Sequence, residues 1–171
     1  MTVAALFSCS AAEASQWAIL IGPEQYGASD ELRPLPYAGS DIQRMAATLI
    51  NTGHPDDQVF VMATSADDTD LRPVRASIYR KIREVVSRMG DTEAELLMVV
   101  FAGHGVNFDG RSYLCPDDVR LDAPDDTLIL LSQLSSLLAN CNASQRFLII
   151  DACREEISSG VERASARLSP G

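Results

Sequence analysis

Four short runs of consecutive apolar residues constrain this chain more than any other feature: Trp17 to Ile21, Gln58 to Met62, Leu96 to Phe101 and Arg146 to Ile150. A strand with one wet face alternates apolar and polar side chains. These runs are instead apolar at successive positions, as the strands of a parallel sheet are when helices cover both of its faces. Between them lie segments of helical period. From Ser40 to Asn51, Ile42, Met45, Ala46, Leu49 and Ile50 share one face, Ser40 or Asp41 is placed to cap the start, and Gly53 follows the end. Pro73 to Met89 sets Val74, Ile78, Ile82 and Val85 on an inner stripe, with proline in the first turn and Gly90 as the stop. A third helix is predicted from Leu131 to Ala139, carrying Leu134, Leu137 and Leu138. This alternation specifies an α/β three-layer sandwich with a mostly parallel central sheet. Right-handed crossovers bring the C-terminal strand ends to one edge, where such folds keep their sites. Asp109-Gly110, inside Asn107 to Cys115, predicts a small hairpin between the third strand and the third helix.

The 171 residues suit one domain, with 24 acidic against 14 basic side chains and a formal charge of −10. That excess repels a phosphate backbone, and no stretch concentrates Lys and Arg enough to overrule it, so nucleic acid is excluded as a partner. No apolar run is long enough to cross a membrane. Cys9, Cys115, Cys141 and Cys153 lie far apart, without the spacing of a zinc site or a disulfide scaffold, which suggests reduced thiols and a cytoplasmic location. Met1 to Cys9 ends in something like a lipoprotein cleavage box, but it lacks a basic start and its apolar run is short for a signal peptide. The expected organisation is an N-terminal segment over 1–16, a catalytic domain over 17–155 and a loosely held tail over 156–171.

Two residues fall just beyond the predicted strand ends on the functional edge: His104, in Phe101-Ala-Gly-His-Gly105, and Cys153, in Ile149-Ile-Asp-Ala-Cys-Arg154. A thiol becomes a nucleophile when a base or a positive environment stabilises its thiolate, and a histidine on a neighbouring strand supplies one. The glycines beside His104 leave room around the imidazole, and the amides of Gly105 and Cys153 are candidates to bind an oxyanion. Other chemistries fail on their motifs. Position 108 is Phe where a dinucleotide fingerprint needs glycine, and position 159 is Ser where a tyrosine-phosphatase loop needs arginine.

At these residues the sequence resembles the caspase and metacaspase cysteine peptidases. A histidine about 50 residues upstream of the cysteine belongs to that family's pattern, so the spacing is a match rather than a separate finding. The resemblance covers about Trp17 to Glu155 and includes the entry Leu35-Pro-Tyr-Ala-Gly-Ser-Asp41; Asp-Ala-Cys at 151–153 departs from the caspase glutamine and looks like the metacaspase Asp-x-Cys. It implies a caspase-like fold and a large-subunit-type domain. It also implies a cysteine endopeptidase in which a backbone carbonyl can orient the histidine, since no third catalytic side chain is evident. In metacaspases two carboxylates line the pocket for the residue before the scissile bond, and they match Asp41 and Asp151. The expected substrate is therefore a protein or peptide cleaved after Arg or Lys. Leu35 stands near where a caspase arginine would lie, with Arg33 the only nearby candidate.

Asp41 has an alternative reading as a helix cap, and Asp151 one as an organiser of nearby backbone. Cys115 and Cys141 read as structural, His54 as part of a solvated loop, and the pairs Asp67-Asp68, Asp117-Asp118 and Asp125-Asp126 as solvated loops. The chemistry requires no cofactor. Many metacaspases depend on calcium, but no EF-hand spacing occurs here and no metal ligand is assigned. The chain extends only 18 residues past Cys153 where family members usually add further strands. The expectation is therefore the large-subunit part of a longer precursor, one half of a two-chain enzyme with a second, small-subunit chain, or a proenzyme activated by proteolysis or by a partner, with Arg163 and Arg167 as processing candidates. The alternative is a non-catalytic, caspase-like interaction or regulatory module.

Overall fold

The computed structural model describes residues 15–27, 29, 31–89 and 94–156, with 94–95 and 153–156 described by backbone alone. Strand β1, Gln16–Gly22, is apolar on both faces and lies between two partners. It pairs in parallel with β2, Val59–Ala63, and with β3, Ala94–Phe108, the latter in the register Gln16 to Leu96 through Ile21 to Phe101. β6, Ala143–Glu156, runs parallel along the other edge of β3.

The double-sided apolar pattern divides as a covered sheet requires. Ala18, Leu20, Ala63 and Val100 pack under α1, Ala38–Asn51, against its Ile42 and Ala46. Trp17, Ile19, Ile21, Leu97, Val99 and Phe101 face the opposite layer. There they meet Ile78, Ile82 and Val85 of α2, Arg75–Met89, and Leu134 and Leu138 of the later helix Leu131–Ala139. Side chains on alternate sides of one strand thus enter two separate cores.

Past Phe101 the third strand continues through Gly-His-Gly to Phe108, turns and pairs antiparallel with β4, Arg111–Leu114. Asp109 (φ 48°) and Gly110 (φ 72°) both occupy the left-handed region, as a tight two-residue hairpin turn requires. After β4 come a single helical turn α3, Pro124–Thr127, then β5, Ile129–Leu130, antiparallel to β4, and α4, Leu131–Ala139. The parallel expectation therefore holds for β2, β1, β3 and β6, while β4 and β5 run antiparallel.

Two expectations need correction. α1 begins at Ala38 with Tyr37 as its N-cap residue, so neither Ser40 nor Asp41 caps it. The Glu24 carboxylate does so from a distant loop, accepting from the Gly39 amide at 3.3 Å. His104 and Cys153 also sit inside strands rather than beyond them, because the ladder between β3 and β6 runs on to Asn107 and Glu156. Glycine and histidine have little strand preference of their own; pairing on both edges imposes the conformation. Gly90, which was expected to stop α2, lies outside the described residues, as do Cys9, Arg163, Arg167 and almost all of the tail.

Candidate active site

His104 is 3% exposed and is fixed from several directions. Tyr26, in the loop leaving β1, donates its hydroxyl to the Pro23 carbonyl at 3.0 Å and accepts the His104 amide at 3.3 Å. Its ring lies 4.8 Å from the imidazole, centroid to centroid, tilted by 58°. Burial lifts the Tyr26 phenol far above its ordinary value, so it stays neutral and keeps its proton for Pro23. Beneath it, Leu32, Val106, Tyr113, Cys115 and Leu128 form a small apolar cluster that supports both the loop and the hairpin.

The imidazole itself makes one hydrogen bond among the described residues. Nε2 lies 2.9 Å from the Arg33 carbonyl oxygen, which can only accept, so Nε2 carries the proton. In the neutral ring Nδ1 then holds a lone pair, and this buried nitrogen has no partner among the described residues. Register places the backbone of Cys153 opposite His104 on the adjacent strand, about 5 Å away at parallel-sheet spacing.

Polar ties anchor the loop that carries Tyr26. Thr64, just after β2, accepts from the Glu24 amide at 2.9 Å and donates to Asp117 at 2.9 Å; Asp117 also accepts from the Gln25 amide at 3.3 Å. Burial raises the Asp117 carboxyl above its ordinary range, against the opposing pull of those hydrogen bonds. Of the acidic pairs, Asp67-Asp68, Asp118 and Asp125-Asp126 are exposed as expected, and Asp117 alone is half-buried. Asp118 accepts the Arg75 amide at the start of α2, and Asp125 binds Arg111 and the Tyr113 hydroxyl. His54 likewise departs from expectation, being half-buried with its Nε2 enclosed.

A cavity of about 250 Å³ opens beside this centre, and Asp41 and Asp151 both line it, with Gly103 between them and an apolar wall of Leu35, Pro36 and Tyr37. A Cβ on Gly103 would stand 2.9 Å from the Phe101 ring and 3.0 Å from Pro23, so packing against those two residues leaves no room for a side chain at 103 without a shift. Asp41 keeps a loose, exposed pairing with Arg44 at 3.6 Å. Arg33 does not line the cavity; its contribution is the carbonyl that binds His104.

Of the candidate oxyanion amides, that of Gly105 faces away from the hairpin pairing with β4. The His104 carbonyl accepts from the Cys115 amide at 2.9 Å, which puts it on the β4 side. Backbone groups of successive strand residues point to alternate edges, so the Gly105 N–H is directed at β6.

A family model for the caspase domain of peptidase family C14 matches residues 15–169. The chain belongs to the caspase-domain family. At the level of that family it is a cysteine peptidase domain, whose substrates are proteins. Comparison with curated proteins returns no significant match. The matched region runs beyond the boundary at 155 suggested by the sequence. Among the described residues, no three His, Cys, Asp or Glu side chains gather to hold a metal ion. No described helix is long and apolar enough to cross a membrane.

Four parts of the site were not evident from sequence. The Arg33 carbonyl has no side-chain signal at all, because any residue supplies a carbonyl. Tyr26 and Tyr37 are ordinary tyrosines until the fold sets one under His104 and the other on the cavity rim. The bond between Thr64 and Asp117 spans 53 residues and leaves no local pattern.

Proposed function

We propose that this caspase domain is a cysteine endopeptidase in which His104 and Cys153 form a dyad, within a catalytic unit spanning about 17–155. The observation that carries the reading is the His104 ring, whose Nε2–H is held by Arg33 and whose buried Nδ1 has no partner among the described residues, at the strand position beside Cys153. Nδ1 takes the thiol proton, and the thiolate attacks the carbonyl carbon of the scissile amide. The amide C–N bond breaks as His104 returns the proton to the leaving amine. Water then hydrolyses the thioester and frees the thiol. The amides of Gly105 and Cys153 bind the oxyanion. The cavity holding Asp41 and Asp151 takes the residue before the scissile bond, which makes that residue Arg or Lys.

The direction of the Gly105 amide, toward β6, supports a latent form: the proposed oxyanion donor is aimed at the neighbouring strand instead of at substrate. Activation then involves proteolysis, with Arg163 and Arg167 as processing points, or a second chain. β6 favours the latter, because among the described residues it pairs only with β3 and it exposes Phe147 and Ile149, at 47% and 41%. The same geometry favours a second reading, a non-catalytic interaction module in which the ladder never opens.

Fluorogenic peptides ending in Arg, Lys and Asp separate these readings when wild type is compared with Cys153→Ala, before and after limited proteolysis. The dyad predicts hydrolysis after Arg or Lys that Cys153→Ala abolishes. Preference for Asp would overturn the pocket assignment, and activity unaffected by Cys153→Ala would overturn the dyad. Inactivity under every condition would favour the module.

A further inference from the structure

Tyr37 is the most exposed large hydrophobic side chain among the described residues, at 72%, and its ring makes no hydrogen bond or ring contact with them. A single exposed tyrosine is unremarkable on a protein surface. This one lines the cavity that also holds Asp41 and Asp151. Its backbone is not loose, since the Tyr37 carbonyl accepts from the Asp41 amide at 2.9 Å and from the Ser40 hydroxyl at 2.9 Å as the first turn of α1 closes. Tyr37 and Asp41 are four residues apart at a helix start, the spacing that sets two side chains over the same face. An aromatic face and a carboxylate are therefore offered together at the mouth of one pocket. Leu35 and Pro36 continue its apolar wall.

We propose that Tyr37 is a specificity residue that stacks against the guanidinium of a substrate arginine and makes the pocket prefer arginine to lysine. The inference rests on the reading of the Asp41 and Asp151 cavity as the site for a basic residue. Arginine's planar head can lie on a ring face while donating in its own plane to a carboxylate. The ammonium of lysine is a compact, strongly hydrated charge that gains less from the ring. The methylenes of the arginine stem run along Leu35 and Pro36, as amphipathic side chains do on apolar walls. Asp41 already meets one guanidinium, that of Arg44, in an exposed pairing that a substrate can displace.

The test is equilibrium binding to the full chain carrying Cys153→Ala, which cannot turn over, using matched peptide amides ending in Arg, Lys or norleucine. The expected result is Arg bound roughly three- to thirty-fold more tightly than Lys, with both above norleucine. Adding Tyr37→Phe keeps that ratio, and adding Tyr37→Ala brings it to within about two-fold of unity by weakening Arg. Thermal unfolding of each variant confirms that the fold is retained. If both basic peptides exceed norleucine but the ratio survives Tyr37→Ala, the Tyr37 assignment is overturned and the acidic pocket stands. If neither exceeds norleucine, the acidic pocket fails and the Tyr37 assignment fails with it.

Discussion

The two strands proposed to carry the dyad are held in different ways. β3 is paired along both edges, by β1 and then β4 on one side and by β6 on the other, and its His104 is further tied to Tyr26, Arg33 and Cys115. β6 is paired along one edge among the described residues, and two of its large apolar side chains face solvent. The proposed base is thus built into the core of the domain, while the strand of the proposed nucleophile has one edge unpaired among the described residues. The proposed latent form is served by that division, since only the less constrained half has to adjust.

The largest expected effect concerns the base. His104→Ala should slow hydrolysis by about 10²- to 10⁴-fold, the usual worth of a positioned proton donor and acceptor. Retained activity would show that the rigid half is scaffolding only. Next comes the contrast in packing. Leu20→Ala, in the fully buried core under α1, should cost about 2–5 kcal/mol in urea unfolding, whereas Phe147→Ser on β6 should stay within about 0.5 kcal/mol. A large loss at Phe147 would mean that the β6 edge is covered in solution.

Smaller effects test how His104 is held. Tyr26→Phe removes the acceptor for a buried amide and should cost about 1–3 kcal/mol, with a matching displacement of the pH profile of hydrolysis. A stability loss with an unchanged profile would make Tyr26 structural and not a positioning residue. Asp117 supplies the smallest effect and a definite sign. Its folded pKa is raised, so its favourable contribution is complete below the unfolded value of about 4 and is lost as pH rises through the folded value. Asp117→Asn should therefore gain stability relative to wild type as pH rises above about 4, read from melting temperatures. A constant difference across that range would contradict the burial that drives the shift.

Much of this architecture is legible in the residues themselves. Apolar side chains at both parities of 17–21 and 96–101 require two covered faces, and Asp109-Gly110 requires its turn. Strand length was less legible: Gly103-His104-Gly105 and Asp151-Ala152-Cys153 lack the apolar character of the runs before them, and cross-strand pairing alone extends the strands. In the site, Asp41 and Asp151 stand out by motif and the fold brings them to one cavity. The partner of His104 is a main-chain oxygen delivered by the 23–35 loop, and a backbone group carries no identity that a sequence could display.

The central claim is that Nδ1 of His104 activates the Cys153 thiol, and the pH dependence of Cys153 alkylation tests it most directly. Iodoacetamide labelling of the full chain, followed at the Cys153 peptide by mass spectrometry, should titrate in wild type well below the ordinary thiol value of about 8.5, and His104→Ala should return it to that value. Superimposable profiles for the two proteins would contradict the dyad.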